Sequence, residues 1–177
     1  MNSILKPVYK IWLAVNSSCW VVAIFLLYKG IQIKEIPIFI SDLFWIILPV
    51  LSSALSIKFL KYFSVQEGIS INISEIELAD NEFLPTYLGY FFVSLGINDY
   101  NVLFWVYVII LFFVYISQMQ YFNPIFLIFG YHFYHMTTEQ GTKIFVIVKR
   151  KIIRNINDID VSNIKRLNDI TYVAWRE

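Results

Sequence analysis

His132 and His135 are the only two histidines in the 177 residues. Spaced by three, they would share a face of a helix and offer a metal two imidazoles. On a strand they would point to opposite faces. Glu139 is the one acid nearby and no cysteine accompanies them, so no ligand set is complete and neither a metal nor a cofactor is expected. The single cysteine, Cys19, has no partner in the chain for a disulfide or a zinc cage. Set in an apolar run, it reads as a small buried thiol. No glycine-rich phosphate loop, no Gly-x-Ser-x-Gly, no Ser/His/acid arrangement and no buried carboxylate pair is present. The expectation is a protein that is not an enzyme.

The other residues able to do chemistry are basic. Lys149, Arg150 and Lys151 are followed by Arg154, then by Lys165 and Arg166. Such a run has three readings. It anchors a membrane protein by the excess of positive charge on cytoplasmic flanks. It touches anionic lipid headgroups. Or it is part of a docking surface for a cytosolic protein or nucleic acid, because a tail of about 40 residues is too small to act alone. These six residues are the candidate partner- or lipid-binding set. Direct contact with nucleic acid is not expected, since 14 basic and 13 acidic residues leave a net charge of +1.

What positions that tail follows from composition. The chain is 58% hydrophobic, 19% aromatic and 15% charged, against about 25% charged in ordinary soluble domains. A core of this size cannot absorb that excess. Ile11–Tyr28 is an uncharged run between Lys10 and Lys29, nearly long enough to cover a hydrocarbon core of about 30 Å. Lys6 and Lys10 resemble the start of a signal peptide, but Lys29-Gly30-Ile31 gives no small-x-small cleavage site, so an uncleaved first span is expected. Ile40–Leu60 is the second run. Asp42 and Lys58 lie near its ends, where they can snorkel, and Pro49 implies a kink with Ser52 and Ser53 at hand for freed backbone groups.

The third run, Phe83–Ile97, is short and holds Pro85, Gly89 and Gly96. Asn98-Asp99-Tyr100-Asn101 is turn chemistry, and Val102–Ile116, continuing to Gln118, is the strongest apolar stretch. The pair reads as a tight helical hairpin; the alternative is three crossings with 83–97 lying in the interface. Charge favours four crossings. Lys6/Lys10, Lys58/Lys61 and the basic tail then all fall on the cytoplasmic side. The polar span residues Asn16, Ser17, Ser18, Ser52, Ser53, Ser56 and Ser94 read as helix–helix contacts.

Outside the spans, the insert 64–82 alternates Ile69, Ile71 and Ile73 with polar residues, and the phase shifts after Glu75 as a bulge would make it. Glu67, Glu75, Glu77, Asp80 and Glu82 make it acidic, so it is either a solvated edge strand or the counterpart of the basic tail. Tyr121-Phe122-Asn123-Pro124 reads as a helix break. Tyr131–Met136 and Lys143–Val148 flank a turn and form a hairpin. Ile159–Leu167 reads as a short helix capped by Asp160 or Ser162.

The expected fold is therefore an α-helical integral membrane protein of about four transmembrane helices, with a small cytoplasmic, β-hairpin-containing C-terminal lobe. Its bundle occupies residues 1–120, with spans at about 11–28, 40–60, 83–97 and 102–118. A membrane-proximal segment and tail occupy 121–177. This layout resembles the KwaA family, the membrane subunits of the Kiwa bacterial anti-phage defence system. The local likeness lies in Tyr121–Pro124, Gly130-Tyr131-His132-Phe133-Tyr134, the Gly141 turn into Ile144–Val148, and Lys165–Tyr172. The resemblance implies a non-enzymatic inner-membrane sensor with both termini cytoplasmic. It also implies a homo-oligomer, suspected to be a tetramer, and a cytosolic DNA-binding partner, KwaB, that blocks phage DNA replication and late transcription. The rival reading is a small oligomeric channel or transport accessory subunit.

Overall fold

The computed structural model describes residues 5–63, 65–66, 73–117, 123–149, 164–167 and 171–174. Two compact units emerge. One holds residues up to Ser56 together with Phe83–Asn123; the other holds Ile57–Glu82 together with Pro124–Glu177. The insert that follows the second apolar run thus clusters with the tail.

The helical unit is built on α1 (Leu5–Tyr28), α2 (Ile38–Phe63) as far as Ser56, α3 (Leu84–Gly96) and α4 (Tyr100–Ser117). Three of these, α1, α2 and α4, are long and apolar enough to cross a membrane. The third expected span is shorter. At 13 residues α3 is about 20 Å long, well below a core of about 30 Å. Pro85 stands in its first turn and Ile97 leaves it in extended conformation. Asp99 then begins the next helix, accepting the Asn101 N–H at its side chain and the Leu103 N–H at its carbonyl.

α1 is the central helix. Buried residues make up 44% of its apolar stretch, against 17% for α2 and 11% for α4, whose faces are largely open. α3 and α4 both pack on α1. Tyr87 donates to the Ser17 carbonyl, Ser94 to the Val21 carbonyl, and Phe25 meets Tyr100 edge-on at 5.4 Å. Pro49 does interrupt α2. Ser53, however, donates to the carbonyl of Pro49 itself at 2.8 Å, whereas the carbonyl that a proline frees lies four residues before it.

The second unit is a six-stranded mixed sheet of β1 (Val65–Gln66), β2 (Ile73–Leu78), β3 (Tyr131–Thr138), β4 (Lys143–Lys149), β5 (Ile164–Arg166) and β6 (Thr171–Ala174). Their order across the sheet is β1-β5-β6-β4-β3-β2. The expected hairpin is present as β3 and β4, in register from Tyr131↔Lys149 to Thr137↔Lys143. Gly141 closes its turn at φ +81, where a side chain is strained. The insert supplies β2, with a register shift between Ile73 and Glu75, and β1; residues 67–72, with Glu67, Ile69 and Ile71, lie outside the described residues. Ile164–Arg166, expected within a helix, is instead a strand: it pairs with β1 on one side and β6 on the other, and two ladders outweigh a local cap. Residues 159–163 lie outside the described residues.

The centre of the sheet is covered on both faces, since β4 is buried from Ile144 through Val148. One face gathers Tyr134, Met136, Ile144, Val146, Val148 and Ala174. On the other, Phe133 stacks on Phe145 at 5.8 Å and on Phe126 at 6.2 Å. Phe126 comes from α5 (Ile125–Ile128), a single turn between Pro124 and the left-handed Gly130 that sends the chain into β3. Tyr121 and Phe122, part of the expected helix break, lie outside the described residues.

Candidate functional site

The helical unit concentrates its polar groups in a buried chain. Asn16 and Ser53 are fully buried and face each other, with Asn16 Nδ2 3.3 Å from Ser53 Oγ. Asn123, also fully buried, donates its side-chain N–H to the same hydroxyl at 2.7 Å. One helical turn on, Ser56 accepts the Trp12 indole N–H at 2.8 Å, and its carbonyl accepts the Tyr9 hydroxyl at 2.9 Å. Ser17 and Ser18 both donate to the Ala14 carbonyl. Asn16, Ser53 and Ser56 join α1 to α2, as expected of small polar residues in apolar surroundings, whereas the bonds of Ser17 and Ser18 to Ala14 stay within α1. Asn123 had been legible only as part of a helix break, and its tie to Ser53 spans 70 residues.

The sheet unit holds a second polar group. β3 places His132 and His135 on alternate faces, so they do not converge. Each instead meets a carboxylate from the segment that follows β2. His132 Nδ1 is 2.7 Å from Asp80 Oδ2, and Asp80 Oδ1 accepts the backbone N–H of Phe133 at 2.8 Å. His135 Nε2 lies 2.9 Å from both oxygens of Glu82. His135 also stands opposite Glu77 on β2 and meets Phe145 edge-on at 5.3 Å. Among the described residues no group of three or more His, Cys, Asp or Glu side chains could hold a metal. The acids of the insert thus face histidines of the tail, a pairing that charge counting directed toward lysines and arginines could not find.

The six basic candidates are only partly brought together. Lys149 ends β4, exposed, with Nζ 5.6 Å from the centre of the Tyr131 ring. Burial raises the Tyr131 phenol above its ordinary value, so the ring beneath the ammonium is neutral. Lys165 stands opposite Val173 on β6, which in turn lies opposite Ile147 on β4. Side chains alternate along a strand, so Lys149 and Lys165 share one sheet face. Arg166, opposite Tyr172, is on the other. Arg150, Lys151 and Arg154 lie outside the described residues.

No curated protein and no solved structure matches this chain. A family model does: that of the anti-phage protein KwaA aligns with residues 9–173, nearly the whole length. The match takes in the helices, the polar chain from Asn16 to Asn123, the two histidine–carboxylate pairs and the sheet, and on it the chain belongs to the KwaA family of anti-phage proteins.

Proposed function

We propose that this KwaA-family chain is a non-enzymatic sensor and scaffold of the bacterial inner membrane, which recruits a cytosolic DNA-binding partner of the KwaB kind to block phage replication. The observation that carries the reading is the antiparallel pairing of β2 with β3. Strands of one sheet lie on one side of a membrane. Between them the chain passes through α3 and α4, so it crosses an even number of times. α4 is long and apolar enough to cross, and α3 is then its return partner, with the bilayer thinned locally to meet it. β1 and β2, the tail and most of the basic residues fall on one side, with only Lys29 and Lys34 in a loop on the other, and the excess of lysine and arginine makes that side cytoplasmic. Both termini are cytoplasmic on this reading.

The sheet is then the part of the protein that a cytosolic partner can reach. Lys149 and Lys165 on one of its faces form the docking surface; Arg166 stands on the other face, and Arg150, Lys151 and Arg154 belong to the basic set by sequence alone. Copies of the chain assemble as a homo-oligomer, a tetramer on the family resemblance, through the open apolar faces of α2 and α4. The buried chain from Asn16 through Ser53 to Asn123 supports a sensing role, because Asn123 is followed directly by Pro124 and the sheet unit.

Co-purification in mild detergent from phage-infected cells tests the reading. Lys149→Glu with Lys165→Glu is expected to reduce partner capture and plaque protection about tenfold or more, with membrane insertion unchanged. Undiminished capture and protection would show that docking lies elsewhere.

A further inference from the structure

Asp80 and Glu82 each face a histidine. Glu75 and Glu77 of β2 are exposed and, among the described residues, neither makes an ion pair. His135 stands opposite Glu77 but is held by Glu82 at 2.9 Å. Lys143 shares a sheet face with Glu75, two strands over and about 10 Å away between backbones. β2 is also the last strand of the sheet, and among the described residues no strand pairs with its far side.

Register fixes what that far side offers. The Ala79 N–H donates to the Phe133 carbonyl at 2.8 Å, so Ala79 turns its backbone toward β3. In an antiparallel pair, successive residues turn their backbone groups alternately to the two sides. Glu75 and Glu77 therefore face β3 with their backbones, and Ile76 and Leu78 turn their N–H and C=O groups outward. The bulge between Ile73 and Glu75 precedes this stretch and leaves it regular. The outward groups of two successive outward-facing residues are a template for an added strand. Side chains alternate as well. Glu75 and Glu77 lie on the face of His135 and Lys143. On the opposite face Ile76 packs against the cluster of Tyr134 and Met136, and Leu78, 45% exposed, leaves the rim of that apolar face open.

We infer that the β2 edge takes an extended segment of another protein in which Lys or Arg alternates with apolar residues. Added antiparallel, its apolar residues stand opposite Ile76 and Leu78 and exchange main-chain hydrogen bonds with them. Its cations then stand beside Glu75 and Glu77. Opposite charges directly across a strand pair stabilise the pair, and like charges there destabilise it. A second copy of β2 is the wrong occupant for that reason. Antiparallel self-pairing centred on Ile76 sets Glu75 against Glu77, and pairing centred on Glu77 sets that residue against itself. The two glutamates thus turn away copies of the chain and admit a basic strand. This edge is separate from the lysines proposed above for docking, since Lys149 ends β4 at the end away from Lys143, and Lys165 lies on β5. It belongs to the sheet unit alone and does not depend on how many helices cross a membrane.

The test uses the full chain in mild detergent and fluorescent hexapeptides, with binding read by anisotropy. Lys-Val-Lys-Val-Lys-Val is expected to bind, and Glu-Val-Glu-Val-Glu-Val is not. N-methylation of the valines keeps every charge but blocks the main-chain donors that face β2, and is expected to weaken binding at least tenfold. N-methylation of the lysines, whose N–H groups face away, leaves binding unchanged. Glu75→Lys with Glu77→Lys is expected to lose the lysine peptide at least tenfold and to gain the glutamate peptide, a gain that also shows the variant to be folded. Glu35→Lys, the same reversal in the helical unit, leaves both peptides as in wild type. Leu78→Pro removes an outward N–H that β3 does not use, and is expected to weaken the lysine peptide at least tenfold; elution volume and thermal midpoint establish its fold. Equal binding of the two methylated peptides would mean charge attraction alone and overturn strand addition. No binding of the lysine peptide, or unchanged binding after Glu75→Lys with Glu77→Lys, would overturn the site. A fall in the mass of the assembly on Leu78→Pro would place a second copy at the edge and overturn the assignment to another protein.

Discussion

Asp80 and His132 stand 52 residues apart in sequence and 2.7 Å apart in space. The same carboxylate also receives the Phe133 N–H, and the Ala79 N–H beside it donates to the Phe133 carbonyl at 2.8 Å. The segment that leads into α3 is thereby fastened to β3 by side chain and backbone at once.

Asp80→Ala removes an acceptor from two donors. The expected cost to the sheet unit is about 1–3 kcal/mol, the usual penalty for depriving charged or buried partners of a hydrogen bond. Asp80→Asn keeps the acceptor for Phe133 and is expected to cost less. Limited proteolysis of the detergent-solubilised protein reads the difference.

Gly141→Ala places a Cβ at φ +81 in the β3–β4 turn. Space is open around the position, so backbone conformation alone sets the effect. A loss of about 1–2 kcal/mol is expected from forcing an L-residue into the left-handed region, seen as a lower thermal midpoint with membrane insertion unaffected.

Ser53→Ala leaves Asn16 and Asn123 without their shared hydroxyl. A double-mutant cycle of Ser53→Ala with Asn123→Ala is expected to give a coupling of about 0.6 kcal/mol, and no more than about 1.7 kcal/mol, as for hydrogen bonds between membrane helices. Thermal unfolding in one detergent measures all four proteins.

Tyr131 titrates above its ordinary value because it is buried. Folding therefore favours the neutral phenol. Its contribution to stability is full below the unfolded value of about 10 and falls as pH rises through the higher folded value. Tyr131→Phe is expected to remove part of the alkaline loss of stability above about pH 10. Midpoints measured from pH 8 to 11 for both proteins check this.

In a Cys19→Ala background, cysteine at Asp99 is expected to react with an impermeant maleimide from the periplasmic side of intact cells. Cysteine at Gln140, in the β3–β4 turn, is expected to react only after the inner membrane is opened. Reaction of both from the same side would remove α3 as a crossing helix.

Much of the fold was legible where the pattern is local. The uncharged run to Tyr28, the hairpin around Gly141 and the turn at Asp99 each carry their own chemistry within a few residues. The extent of α3 was less so, because the apolar run to Ile97 continues past the point where the helix ends at Gly96. β5 was misread as helix, since three residues between two ladders take their conformation from strands far away in sequence. The basic set proposed for docking was legible only as charge. Register divides it, putting Lys149 and Lys165 on one face and Arg166 on the other. The partners of His132 and His135 were out of reach for the same reason: alternation says which way a side chain points, not which segment comes to meet it.

The pairing of β2 with β3 also sets an order of manufacture. β2 emerges from the ribosome before α3 and α4 exist, and Asp80 waits 52 residues for His132. At about 5–20 residues per second that is roughly 3–10 s of translation. During that interval the apolar α4 is synthesised and committed, while β2 lacks the strand it will finally join. Sheet closure thus comes after α3 and α4 have been made, and, on the membrane reading proposed above, a nascent chain whose hairpin ended on the wrong side could not complete its sheet.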